Sequence, residues 1–377
     1  MESSGGIPAG GADLSDLVGL AAERGPFATL YMATEAGIDN AAQRSELRWR
    51  GLRDHLVSDG APQSVLEAID AVVPDAHLRG ESLAVVADAD GVRLSESFSQ
   101  PPATDLARWA TLPSLVPLIE WRQMSPAHIL ALVDRQGADL VLFRPRRANV
   151  VEVAGDGWPV HAPHAGGWSE RRYQATIEEN WKHNAARVAE EVTQLVKTSG
   201  ARVIAVAGDV RARQLLLEAL PTAVADRCVP IDGGRGPDGS EDEVAAETLR
   251  QVATVVAADT KGALAAFKQE RGEGGRAADG PAATMAALAA GQVGLLLVSD
   301  DSGNDAPTSR RGAWFGEQGN QVGLDRATVE AMGAESPAEA RLVDVAVRAA
   351  LQTGAEVRVV PQHGGPRDGL GAILRWS

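Results

Sequence analysis

His161-Ala-Pro-His-Ala-Gly-Gly-Trp168 gathers two imidazoles, adjacent glycines and an indole, and Arg171, Arg172 and Tyr173 follow at once. Adjacent glycines let a backbone enter a space too narrow for side chains and take φ above zero. Arginine pairs with phosphate, while Trp and Tyr offer faces on which a base stacks for about 1–3 kcal/mol. The chemistry on offer is RNA contact by His161, His164, Gly166, Gly167, Trp168, Arg171, Arg172 and Tyr173. Glu170 dilutes the charge, and composition alone favours an ordinary Gly-rich turn with solvated histidines. A metal held by His161, His164 and His183 is the weaker alternative, because no carboxylate or thiol stands at a recognised ligand spacing.

Arginine clusters twice more. Asn40 to Arg53 carries Arg44, Arg48, Arg50 and Arg53 against Glu46 alone, and Arg144, Arg146 and Arg147 fall at the expected tip of a hairpin. Charge runs are usually solvated faces, which the sequence favours here, with phosphate contact as the alternative. Gly233-Gly-Arg-Gly236 and Gly364-Gly365 match neither a P-loop nor a dinucleotide fingerprint in its strand-to-helix setting. Gly208-Asp-Val210 ends a strand and opens a helix, where an anion can sit, but Asp209 is better placed to cap that helix. Ser299-Asp-Asp-Ser302 is read as a loop before a cation site, and no catalytic triad is identifiable by spacing.

These groups must be held by a large chain. Its 377 residues suggest about two or three domains, and the 44% hydrophobic content is that of a globular protein. A net charge of −15 excludes a coat for nucleic acid, which needs clustered Lys and Arg, but leaves room for a few local RNA contacts. The single cysteine, Cys228, rules out an intrachain disulfide and multi-Cys metal sites and is expected to be a buried structural thiol. Residues 1–11 lack a basic start and apolar stretch, and no run approaches the roughly 20 apolar residues of a membrane span. A cytoplasmic protein is expected.

Patterning predicts, in order, helix 14–23, strand 27–32, helix 39–57, helix 63–73, a hairpin of strands 83–87 and 92–97 about Gly91, and a strand at 116–120. Met124-Ser-Pro126 marks a boundary. Runs at 129–133, 140–143 and 150–153 predict a β-meander. Ile177, Trp181, Ala185, Val188, Val192 and Leu195 recur at helical spacing, in one long helix stopped by Ser199-Gly200. Strand 203–206, helix 211–220, strand 228–231 and helix 241–269 follow, an alternation that implies parallel pairing. After a flexible connector at 271–280 come helix 282–289, strand 293–299, a polar loop at 300–320, helix 337–353, strand 356–360 and a final strand 371–375.

Three stretches stand out together: His164-Ala-Gly-Gly-Trp-Ser-Glu-Arg-Arg-Tyr-Gln174 running into Glu178-Glu-Asn-Trp-Lys-His-Asn184; Val203-Ile-Ala-Val-Ala-Gly208 with the Asp232-Gly-Gly234 loop; and Met285 to Ser299 with Gly369-Leu-Gly-Ala-Ile-Leu-Arg-Trp376. Their order resembles the archaeo-eukaryotic class-I peptide chain release factor and Pelota superfamily, in particular the bacterial branch that includes the hibernation factor Balon. There a basic loop ends in Gly-Gly-Gln before a long helix with a His-Asn pair midway, and the chain closes on a Gly-Ile-Gly-Gly-Ile-Leu-Arg-Tyr strand. The resemblance implies an α/β, three-domain release-factor-like architecture, each domain a mixed α/β sandwich: a decoding-domain-like domain at 1–123, a central domain with the Gly-Gly-Trp loop at 124–258, and a C-terminal domain at 259–377. The stop-codon motifs of those proteins are not recognisable in the first domain.

The decisive departure is Trp168 where a release factor has Gln. In that family the Gln backbone N–H is thought to help hold the developing oxyanion, and its amide to help admit only water. Losing one such hydrogen bond costs on the order of 10²–10³ in rate. The resemblance therefore implies a non-enzymatic, ribosome-binding hibernation or stress factor in the A site of idle 70S ribosomes. It would meet rRNA near the decoding centre through Arg44, Arg48 and Arg50, and near the peptidyl-transferase centre through the Gly166-Gly167-Trp168 loop. Elongation factor Tu is the suggested companion; no cofactor, metal or membrane partner is expected. The alternative is a rescue hydrolase or nuclease acting on stalled peptidyl-tRNA, with His161, His164 or Arg171 as acid–base or anion-stabilising groups.

Overall fold

The structure, a computed structural model, describes residues 11–35, 40–98, 100, 102, 104–144, 147–154, 168–233, 241–272, 275–299 and 311–376. Contacts divide the chain into two units, one of residues 1–123 with 258–377 and the other of residues 124–257.

The discontinuous unit opens with α1 (Leu17–Ala22), β1 (Phe27–Ala33), α2 (Ala41–Ser58), α3 (Gln63–Asp70), β2 (Ser82–Asp88), β3 (Gly91–Phe98), β4 (Leu106–Ala110) and α4 (Val116–Met124). The strands form an antiparallel sheet in the order β3-β2-β1-β4. Alternation along β1 explains why both its faces are buried: Phe27 and Tyr31 join one core, while Ala28, Leu30 and Met32 join another. The second core is closed by Trp49, Leu52 and Leu56 of α2 and by Val65, Leu66 and Ile69 of α3, at helical spacing.

The strand expected at 116–120 is instead the start of α4. Val116-Pro-Leu-Ile is apolar and partly β-branched, which mimics a strand. Pro117, however, sits in the first helical turn, where a missing N–H costs nothing, and Leu118, Ile119, Trp121 and Arg122 are all buried.

The continuous unit contains β5 (His128–Val133), β6 (Gly137–Arg144), β7 (Arg147–Ala154), α5 (Trp168–Ser199), β8 (Val203–Gly208), α6 (Val210–Ala219), α7 (Thr222–Ala225) and β9 (Cys228–Pro230). The start of α8 (Glu241–Gly272) completes it, and the unit boundary falls within that helix. Its sheet runs β7-β6-β5-β8-β9, with the expected antiparallel meander joined to parallel β5–β8 and β8–β9 pairs. One face buries Ile129, Leu140 and Ile204 under Val188, Val192 and Val196 of α5, and the other buries Leu130, Ala205 and Ile231 with Val244 of α8.

The rest of the discontinuous unit comprises β10 (Ala277–Asp279), α9 (Pro281–Ala289), β11 (Val293–Val298), β12 (Gly312–Phe315), β13 (Val322–Gly323), α10 (Arg326–Ala331), β14 (Ala338–Arg341), α11 (Leu342–Gln352), β15 (Glu356–Val359) and β16 (Leu370–Leu374). One sheet has the order β10-β16-β11-β15, and a small one the order β13-β12-β14. Three expectations are corrected here, the first being the polar loop, inside which Gly312–Phe315 form β12. The connector at 271–280 contains β10, which lends edge hydrogen bonds to β16, and residues 338–341 of the expected helix are a strand paired with β12. Strands of two to four residues carry too little alternation to be read ahead of their partners.

Candidate functional site

The Gly-Gly-Trp segment joins the edge strand β7 to α5. His161, His164, Gly166 and Gly167 lie outside the described residues. Trp168 is the first residue of α5, and Arg171, Arg172 and Tyr173 follow in its opening turns, their side chains likewise outside the described residues. At 1.5 Å per residue the 32 residues of α5 span about 48 Å. Among the described residues, the stretch of α5 packed on the sheet core runs from Val188 to Val196.

That anchorage has a polar bolt. The turn between β5 and β6 is tied by the Asp134 carboxylate, which accepts from the N–H groups of Gln136 and Gly137 at 2.7 and 2.9 Å. Arg135 lies over the Trp181 ring, 4.7 Å from its centre, and its Nη2 is 3.2 Å from Asp209 Oδ2. The buried Asn184 side chain donates to the Arg135 carbonyl at 3.2 Å. Turn, α5 and α6 are thereby held together beside a shallow cleft lined by Val133, Arg135, Trp181, Asn184 and Leu215. The His-Asn pair of α5 therefore splits: Asn184 points inward as part of this bolt, while His183 is exposed.

Asp209 caps α6 as expected, its Oδ1 accepting from the N–H groups of Arg211 and Ala212 at 3.0 Å each, so its own carboxylate fills the anion position. Burial pushes the Asp209 pKa up, but the Ala212 N–H, Arg135 and the Arg211 N–H outweigh it and hold the group below the ordinary aspartate range. Gly208 is required before it: φ is +120°, and a Cβ would fall 1.9 Å from the Val133 carbonyl oxygen.

The arginines of α2 are not bare. Glu35, just beyond β1, reaches both Arg44 and Arg48, the latter at 2.6 Å from its Oε1. Asp105, just before β4, takes the other side of Arg48 at 2.6 Å. Burial would raise the Glu35 pKa, yet the two guanidiniums hold it below the ordinary glutamate range. Glu35 sits at φ +51°, a left-handed conformation that costs a side-chain-bearing residue about 1–2 kcal/mol. Arg50 pairs with Glu46 one turn away, on the exposed face of the helix. Arg144 is in register with Arg147 at the tip of the β6–β7 hairpin, while Arg146 lies outside the described residues. Neither carboxylate partner of Arg48 is visible in the primary structure, since they lie 13 and 57 positions away.

Cys228 is half-buried, its Sγ 3.6 Å from the Val224 carbonyl, and burial pushes its pKa up to about 11, consistent with a structural thiol. Among the described residues no group of three or more His, Cys, Asp or Glu could hold a metal, and no helix is long and apolar enough to cross a membrane. Of Ser299-Asp-Asp-Ser302, residues 300–302 lie outside the described residues.

The model of bacterial archaeo-eukaryotic release factor family 2 matches residues 127–273, which embrace the Gly-Gly-Trp segment, the bolt and α8. A Mycobacterium tuberculosis protein, "Uncharacterized protein Rv2629" (strain H37Rv), is 31% identical over 365 residues, covering 95% of each chain. The chain belongs to bacterial archaeo-eukaryotic release factor family 2. The same identity and coverage hold for "Uncharacterized protein MT2704" of M. tuberculosis strain CDC 1551. Among solved structures, Archaeoglobus fulgidus Pelota is 12% identical, covering 98% of this chain and 94% of its own, with a TM-score of 0.34. An archaeal Pelota described in a ribosome-bound model with ABCE1 is 16% identical, covering 97% and 93%, with a TM-score of 0.37. The family model covers the 127–273 segment, whereas the mycobacterial likeness runs over 365 residues.

Proposed function

We propose that this protein is a ribosome-binding factor which occupies the A site of idle ribosomes and releases no nascent peptide. Membership of a release-factor family supports the coarser part, association with the ribosome. The observation that carries the finer part is Trp168, an indole at the start of α5 directly after two glycines, where release factors keep a glutamine. A tryptophan keeps the backbone N–H, but its indole cannot reproduce the carboxamide and is bulky enough to exclude an attacking water. The loop's remaining chemistry is stacking on a base, together with phosphate contact from Arg171 and Arg172. A role in hibernation or stress, of the kind Balon performs, follows from docking without turnover, with elongation factor Tu as the delivering partner.

Sedimentation of tagged protein with 70S particles from starved cells, paired with a peptidyl-tRNA release assay on stalled complexes, tests this reading. Co-migration without release is expected, and addition of elongation factor Tu with GTP should speed association. Release by the wild type that Gly167→Pro abolishes would instead identify a rescue hydrolase. Absence from the 70S fraction would place the protein's work off the ribosome.

A further inference from the structure

We propose that Arg44 and Arg48 form a binding site for a backbone phosphate of RNA, and that Glu35 occupies this site in the free protein. The proposal deepens the ribosome-binding reading and rests on it for the identity of the RNA met in the cell.

The geometry is that of an occupied oxyanion site. Glu35 Oε1 is 2.6 Å from Arg48 Nη2 and 3.0 Å from Arg44 Nη2, and Oε2 meets Arg44 Nε. A carboxylate spread over two guanidinium groups stands where two phosphate oxygens would stand, since both anions are recognised by the same planar forks. Four features mark Glu35 as the replaceable member. Among the described residues its oxygens meet only these two arginines, whereas Asp105 is anchored, its Oδ1 accepting from the Ala33 N–H at 2.9 Å. Asp105 therefore keeps Arg48 oriented when Glu35 leaves. The backbone of Glu35 is left-handed at φ +51°, a conformation that departure would relax. Arg44 is 52% exposed, so a polyanion can reach the pair from solvent.

The charge count agrees. Two guanidiniums face two carboxylates in the closed cluster; removing Glu35 leaves one net positive charge, which a phosphodiester neutralises. In a protein of net charge −15, an internal anion also keeps the site from casual RNA until a correctly placed phosphate competes.

Fluorescence anisotropy of a short labelled single-stranded RNA with full-length wild type, Glu35→Gln and Glu35→Gly tests the site without ribosomes. Both variants should bind about tenfold more tightly, with a salt slope steeper by about one, because one more phosphate is neutralised. Adding Arg44→Ala and Arg48→Ala should erase the gain. Glu35→Gly removes the carboxylate while suiting the positive φ, so it keeps the test decisive if Glu35→Gln fails to fold. Folded variants that bind RNA no more tightly than wild type overturn the proposal. Sedimentation of the same proteins with 70S particles separates the two ideas. A wild type that co-sediments without an RNA gain in the variants sinks only the site, whereas an RNA gain with no co-sedimentation sinks only the ribosomal reading.

Discussion

Arg135 covers the indole of Trp181 at 4.7 Å while reaching Asp209 at 3.2 Å, so one side chain joins a β-turn to two helices. Its guanidinium is the planar kind of cation that suits both partners at once.

Replacing Arg135 by Ala should destabilise the 124–257 unit by about 1 kcal/mol. A partly exposed cation–π contact contributes about 0.5–1 kcal/mol and a half-exposed ion pair less than about 1 kcal/mol. Arg135→Lys should recover under half of the loss, since an ammonium does not stack. Urea unfolding followed by tryptophan fluorescence measures both, and an unchanged midpoint for the alanine variant would contradict the bolt.

Asp209→Ala should cost about 1 kcal/mol for loss of the α6 cap. The wild-type contribution should also depend on acid. The folded pKa is depressed, so the stabilisation is complete above the ordinary aspartate value near about 4 and disappears as pH falls below it through the lowered folded value. The difference in unfolding free energy between wild type and variant, followed from neutral to strongly acidic pH, should shrink only in that acid window.

Glu96 and Arg122 form a buried pair in the discontinuous unit, with side chains 0% and 5% exposed, and Asp16 takes the outer side of Arg122 at 2.7 Å. Burial works against the Arg122 charge, yet hydrogen bonds to Asp16 and Glu96 more than offset it and raise its pKa. Glu96→Ala should destabilise, but by less than the about 3–5 kcal/mol of a fully stranded buried cation, because Asp16 still pairs with Arg122. A double variant, Glu96→Leu with Arg122→Met, should regain most of that loss. Chemical denaturation of the three proteins decides, and a double variant as weak as the single one would argue against a simple ion pair.

Cys228 should resist alkylation. With its pKa pushed up to about 11, the thiolate fraction at mildly alkaline pH is roughly a hundredfold below that of an ordinary thiol near about 8.5. As the single cysteine, it gives a clean readout by mass spectrometry: slow iodoacetamide labelling when native, fast labelling in denaturant. Rapid labelling of the native protein would contradict a structural thiol.

Long periodic elements were legible from sequence. The meander, the parallel pairs, the long α5 and the Asp209 cap all follow from patterns in which each residue's neighbours along the chain decide its place. Elements decided by distant partners were not. Pro117 and its apolar neighbours read as a strand until burial on α4 settled them as a helix, and β10, β12, β13 and β14 are too short to show a period. The same limit hid the most informative polar clusters. Arg48 meets Asp105 across 57 positions, and Arg135 meets Asp209 across 74, with no spacing rule to announce either. Helical charge spacing made Arg44 and Arg48 look like a solvated face, whereas folding gives them carboxylate partners.

In its sheet β16 lies between β10 and β11, although it is the latest of the four strands to be synthesised. A nascent chain growing from its first residue can therefore finish the 124–257 unit while this other sheet still has a gap at its middle. The hydrophobic cluster that unites Leu17 and Phe27 with Leu342 and Leu370 must wait as well, until more than three hundred residues separate its earliest and latest members. Premature termination anywhere before Leu370 would thus leave the 124–257 unit attached to apolar flanks with nothing to cover them, the kind of product that quality-control proteases remove.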